Sequence, residues 1–174
     1  GIPVTDTDFR GKYMLVYFGF TYCPDICPAE LHKMAAVMTG LQTARRDEWV
    51  VPVMITVDPR RDSVEKLAAY VREFHPRLIG LTGTAQQVQD VSKLYRVYSS
   101  TGLTEAELES MEDYLVDHSI FFYLMGPDGV IRSYFGKQMT ADQVTAGILT
   151  AMKEDLELAG EHQSLWDKAV KLFN

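Results

Sequence analysis

The chain has 174 residues, 47% of them hydrophobic, and a formal net charge of −7. That length and content suit one folded domain and exclude a disordered chain. The acidic balance disfavours nucleic acid or an anionic membrane as a partner, because no basic stripe could neutralise phosphates.

Tyr13–Phe18 is a continuous apolar run rich in β-formers, expected for a strand buried on both faces. The helix that follows is expected to start at Pro28, with Leu31, Met34, Ala35, Met38 and Leu41 on its inner face. A second buried strand is expected over Val50–Val57. Asp62 with Glu65 reads as a capping box for a helix that buries Val64, Leu67, Ala68 and Val71 and ends at His75-Pro76. Leu78–Leu81 reads as a short strand. Thr84 with Gln87 then caps a helix with Val88, Val91, Leu94 and Tyr95 inside.

After Tyr98 the periodicity breaks, and Ser99–Asp117 carries six acids and no base. Ile120–Met125 and Val130–Phe135 flank Gly126-Pro-Asp-Gly129, a strong hairpin signal. Thr140 with Gln143 opens a last helix expected to run to about Leu158. Leu165, Trp166, Ala169, Val170 and Phe173 read as a short amphipathic tail helix packed on the body or on a neighbour. We expect residues 1–158 to form one domain and 159–174 a helical tail. Strands and helices in this order give an α/β architecture: a central mixed β-sheet flanked by helices, with a C-terminal β-hairpin. A two-cysteine motif at the end of the first core strand makes the expected fold thioredoxin-like.

Cys23 and Cys27 are the only cysteines, separated by three residues and each followed by proline. Closing a loop of about five residues removes little unfolded-state entropy, so a purely structural disulfide is the weak reading. A strand-to-helix junction favours thiolate over thiol, and with Pro28 at the first helical position Cys27 would be the N-cap. The spacing is not the Cys-x-x-Cys of thioredoxin-like reductants, and no Trp precedes Cys23. Two thiolates favour Cu(I), Zn(II) or another thiophilic metal, which then needs a third ligand.

His32 reads as a solvated surface residue, His75 as an imidazolium complementing a helix C-terminus, and His162 as part of the polar tail. His118, in Val116-Asp-His-Ser119, lies at the junction that faces the cysteine loop in a thioredoxin-like fold, and is the leading candidate. The eight methionines read as core packing. Asp58 and Asp117 read as turn and loop acids, with orientation of His118 as the alternative. Tyr22 could pack over the site.

Tyr17-Phe-Gly-Phe-Thr-Tyr-Cys-Pro-Asp-Ile-Cys-Pro28, Thr56-Val-Asp-Pro-Arg-Arg-Asp62, Gly80-Leu-Thr-Gly-Thr84, Tyr95-Arg-Val-Tyr98 and Val116-Asp-His-Ser119 with Gly126-Pro-Asp-Gly129 together resemble the Sco (SCO1/SenC) family. The resemblance runs from about Lys12 to Met152. It implies a thioredoxin-like domain that binds one copper ion per chain, as Cu(I) and also Cu(II), through Cys23, Cys27 and His118. It further implies a role in building the dinuclear copper centre of cytochrome c oxidase subunit II, with that subunit and an upstream copper-donor chaperone as partners.

The implied location is the mitochondrial inner membrane with the domain facing the intermembrane space, or the bacterial plasma membrane facing the periplasm. The longest apolar runs here are too short to span a bilayer, and the chain opens on Gly1. We therefore expect the membrane anchor in a longer parent protein. The stretch before Lys12 is shorter than the family's N-terminal hairpin, and the tail beyond Leu158 has no counterpart in the family. Trp166 and Phe173 offer a surface for a partner or for a homodimer.

Three functions use the same two sulfurs. The first is a copper chaperone, for which the acidic stretch Glu105–Asp117 is a candidate docking face or an ordinary solvated loop. The second is a thiol–disulfide oxidoreductase with Cys23 and Cys27 as its redox pair. The third is a peroxiredoxin-like thiol peroxidase, in which Thr21 and Arg60 would hold the peroxide.

Overall fold

The computed structural model describes the backbone of residues 1–111 and 113–172, and the side chains of these except 105, 109 and 161–172. Seven strands and five α-helices follow in the order β1 (Tyr13–Gly19), α1 (Ile26–Thr43), β2 (Val50–Thr56), α2 (Val64–Arg72), β3 (Ile79–Leu81) and α3 (Ala85–Leu94). Then come β4 (Ser99–Ser100), α4 (Glu105–Ser110), β5 (Asp117–His118), β6 (Phe121–Met125), β7 (Ile131–Gly136) and α5 (Ala141–Leu172).

The main sheet has the order β3-β2-β1-β6-β7. β1, β2 and β3 are parallel, and the β6–β7 hairpin joins antiparallel to β1. A parallel β-α-β unit flanked by a hairpin and a closing helix is the thioredoxin-like arrangement, here with β3 added at the edge. Because β1 is central, its alternating side chains meet helices on both sides. Tyr13 and Tyr17 reach α5 and α1, whereas Phe18 packs on Tyr95 and Tyr123 on the other face. Leu15 to Phe18 are all fully buried, which explains why the run reads as uninterrupted. α1 and α5 pack together on one face. Among the described residues, no helix is long and apolar enough to cross a membrane.

Several local expectations need correcting. α1 starts at Ile26 with Asp25 as its N-cap, so Pro28 is the third helical residue and not the first. All first-turn N–H groups lack intrahelical partners, so proline fits there as well. α2 is capped by Ser63, whose hydroxyl accepts from the Lys66 N–H, which leaves Asp62 free for another task. Leu94, expected inside, is 81% exposed because α3 ends on it. The acidic stretch contains a helix, α4, opened by a Thr104–Glu107 capping box. α5 continues past Leu158 to Leu172 in one helix. The expected packing of Leu165, Trp166, Ala169, Val170 and Phe173 lies outside the described residues.

Candidate metal centre

At the carboxyl end of β1 the chain turns directly into α1, which places the cysteine loop over the end of the sheet. Gly19 closes the strand, and a Cβ there would stand 2.9 Å from Cys27 Sγ and 2.7 Å from Tyr17 Cε1. The glycine therefore makes room for the sulfur. Cys27 is fully buried and Cys23 half-buried. The His118 imidazole comes from the small β4–β5 sheet, where His118 pairs with Ser99.

His118 Nε2 lies 3.3 Å from Cys27 Sγ, and its Nδ1 donates to the Ser119 carbonyl at 3.1 Å. A carbonyl can only accept, so the proton sits on Nδ1 and the Nε2 lone pair points at the sulfurs. Ligation needs that tautomer. Tyr17 and Phe20 pack edge-on against the ring, with centroids 6.0 and 5.8 Å away.

The ligand atoms of Cys23, Cys27 and His118 all lie within 4.8 Å of one another. First-row metal bonds of about 2.3 Å to sulfur and 2.0 Å to nitrogen, at trigonal angles, ask for donor separations of about 3.7–4.0 Å. The triad fits a single three-coordinate ion of thiophilic type. Among the described residues it is the one such group.

The two sulfurs are not equivalent. The Cys27 thiol donates to Cys23 and, against the cost of burial, the backbone N–H groups of Cys27, Asp25 and Ile26 reinforce it. Together they pull the Cys23 pKa down to about 5. The Cys27 thiol is pushed up, first by the hydrogen bond to Cys23 and then by burial. The expectation that Cys27 caps the helix is thus corrected. The Cys27 N–H, 3.4 Å from Cys23 Sγ, belongs to the helix, and Cys23 supplies the electron pairs at its positive end.

Sequence reasoning passed over Tyr17. Its hydroxyl donates to Cys27 Sγ at 3.3 Å, and burial above all raises its pKa. The available signal was a phenol inside a run that is otherwise apolar, since a buried hydroxyl needs a partner. It also passed over Asp62, which is fully buried. Its carboxylate accepts from the Thr21 N–H at 3.1 Å, the Thr21 hydroxyl at 2.6 Å and the Thr56 hydroxyl at 2.6 Å. This ties the residue two before Cys23 to the end of β2.

The remaining candidates fall elsewhere. His32 is exposed and packs on Phe74. His75 does not serve as an imidazolium: its Nδ1 accepts from the Arg77 N–H, and burial followed by the Arg77 charge lowers its pKa. The side chain of His162 lies outside the described residues. Asp58 is buried and accepts from Tyr114 Oη and Arg61 Nε, and Asp117 is exposed on β5. Neither orients His118, because the Ser119 carbonyl does. Thr21 is committed to Asp62, Arg60 is exposed, and Arg61 is the arginine that turns inward.

With this geometry in view, the comparisons with known proteins agree. The sequence profile described as SCO1/SenC matches residues 1–153. The chain is 49% identical to the mitochondrial SCO2 homolog of Mus musculus over 148 residues, covering 85% of this chain and 56% of that protein. It is 43% identical to the mitochondrial SCO1 homolog of Mus musculus over 157 residues, covering 90% of this chain and 54% of the other. It therefore spans about half the length of these relatives.

Among solved structures, Arabidopsis thaliana ScoI with copper bound superposes with a TM-score of 0.78 at 44% identity, covering 87% of this chain and 90% of that one. Yeast Sco1 with copper bound gives 0.77 at 39% identity, covering 86% and 81%. From the profile match and these relatives, the chain belongs to the SCO1/SenC family.

Proposed function

We propose that this chain is a copper metallochaperone. It binds one copper ion through Cys23, Cys27 and His118 and passes it to the dinuclear copper centre of cytochrome c oxidase subunit II. The observation that carries the reading is the convergence of two sulfurs and one correctly protonated imidazole within 4.8 Å. The copper-bound Arabidopsis and yeast relatives support the choice of ion. Two thiolates and an imidazole suit Cu(I), and an added oxygen ligand accommodates Cu(II).

The exposure gradient sets an order for handover. An incoming thiolate of the acceptor reaches the ion beside half-buried Cys23 and His118, each of which it can displace by ligand exchange. Cys27, buried under Tyr17, lets go last. The mitochondrial names of the relatives support a mitochondrial location. There the domain would face the intermembrane space from the inner membrane and receive copper from an upstream donor chaperone.

Anaerobic Cu(I) titration of the reduced protein tests this reading. The wild type should take up one ion per chain, and Cys27→Ala should abolish uptake. His118→Ala should weaken binding by about 100-fold with the fold intact. Equal affinity of wild type and His118→Ala would sink the site assignment.

A second reading, thiol–disulfide exchange on the oxidase subunit's copper-ligand cysteines, is favoured by one observation. The low-pKa, half-buried Cys23 stands next to a second thiol, the arrangement of an attacking and a resolving cysteine. Stoichiometric reduction of a disulfide peptide by a His118→Ala variant as fast as by wild type would favour this reading.

A further inference from the structure

The metal ligands come from two separately supported pieces of chain, the β1–α1 loop and the β4–β5 sheet. One side chain touches both. Arg61 leaves the β2–α2 loop, is 9% exposed, and donates from Nε to Asp58 Oδ2 at 2.6 Å. One terminal nitrogen donates to the Tyr114 carbonyl at 2.8 Å, four residues before His118. The guanidinium carbon stands 3.5 Å from the centroid of the Tyr114 ring.

The same carbon is 4.5 Å from the centroid of Tyr22, the residue before Cys23, and 5.9 Å from that of Phe20. Phe20 in turn packs edge-on against the His118 imidazole. The guanidinium thus contacts both the cysteine loop and the segment that delivers the histidine. Its remaining terminal nitrogen is buried, has no hydrogen-bond partner among the described residues, and faces the Asp113 carboxylate at 3.9 Å, on the same segment that delivers the histidine.

We infer that Arg61 is a positioning residue for the metal centre: by packing against both Tyr22 and Tyr114 it sets the distance from His118 to the two sulfurs. The inference rests on the copper reading for its consequence, but its geometric part is independent of metal. A lysine at 61 would keep the charge for Asp58 and lose both the planar contact with the rings and the fork that reaches the Tyr114 carbonyl.

The test is a double-mutant cycle on Cu(I) affinity, joined to spectra of the metal-free protein. Arg61→Lys should weaken Cu(I) binding about tenfold or more in the His118-containing protein. In the His118→Ala background the same change should cost less than about twofold, since there is no imidazole left to position. Equal losses in both backgrounds, or none in either, would overturn the inference.

In the metal-free protein, Arg61→Lys should shift the His118 ring resonances and leave those of His32 and His75 in place. Unmoved His118 signals would overturn it as well. If wild type and His118→Ala bind copper alike, the copper reading fails, and the metal-free spectra still decide the role of Arg61. Should Arg61→Lys not fold, Tyr22→Leu runs the same cycle, because it removes one of these ring contacts and keeps the buried bonds of Arg61. A loss confined to the His118-containing background supports the inference, and an additive loss overturns it.

Discussion

The two ends of the sheet use similar side chains for opposite purposes. At the end away from the cysteines, Tyr13 Oη donates to Asp155 at 2.7 Å, Arg132 Nε donates to Asp155 at 2.8 Å, and another Arg132 nitrogen donates to Asp128 at 3.0 Å. There, phenol, guanidinium and carboxylates meet and satisfy one another. At the cysteine end the same groups form the surround: Tyr17, Arg61, Asp58 and Asp62 hold backbone and sulfur in place. The electron pairs they hold in place, on two sulfurs and one nitrogen, are left converging on an open point. A closed polar network contributes stability, whereas one that ends in soft donors converging within 4.8 Å supplies a candidate site.

That contrast can be broken most forcefully at Gly19. A methyl group at this position meets Cys27 Sγ and Tyr17 in a core that leaves no slack. Gly19→Ala should therefore displace the sulfur and weaken Cu(I) binding by about 100-fold, the upper range for disturbing groups that support a metal ligand. Affinity unchanged in Gly19→Ala would mean that the sulfur is not fixed by its surroundings.

The next effect separates the two sulfurs. With its pKa lowered to about 5, Cys23 is thiolate above that pH, whereas the raised, buried Cys27 stays a thiol. At pH 6 iodoacetamide should therefore modify Cys23 at least about tenfold faster than Cys27. Its rate should fall only as the pH drops through about 5. Mass spectrometry of the alkylated peptides reads this directly, and equal labelling would remove the asymmetry.

The smallest effect on the site should come from the far end. Asp155→Ala strands the Tyr13 hydroxyl and leaves Arg132 with Asp128 alone of its two carboxylates, and because these groups are partly exposed the loss should be about 2 kcal/mol. For a domain of this size that corresponds to a Tm lower by roughly 5 °C. Copper affinity should stay within about twofold, since distant sites act independently. A larger loss of affinity would show that the two networks are coupled through β1.

The sequence carried the fold where periodicity and caps are local. β1 and β2 are buried on both faces and read as unbroken apolar runs, and the Thr84–Gln87 box appears as expected. The triad was legible because the chain offers few soft donors and one histidine at the right junction. What escaped was everything set by distance in space. Asp62 looked like a cap until its carboxylate was seen to join Thr21 to Thr56, and Ser63 beside it held the cap. Arg60 and Arg61 are indistinguishable in a Pro-Arg-Arg-Asp string, yet only one turns inward. Tyr17 is one more β-former until α1 brings Cys27 within reach.

The Cys23 sulfur also terminates a helix, and this ties the chemistry of the site to the backbone. Charge that Cys23 gives to an ion, or to a bond with another sulfur, weakens its hold on the Cys27 amide 3.4 Å away. The opening turn of α1 is therefore an intrinsic gauge of occupancy. Its amide signals and exchange rates should report an empty, loaded or oxidised centre without any added label.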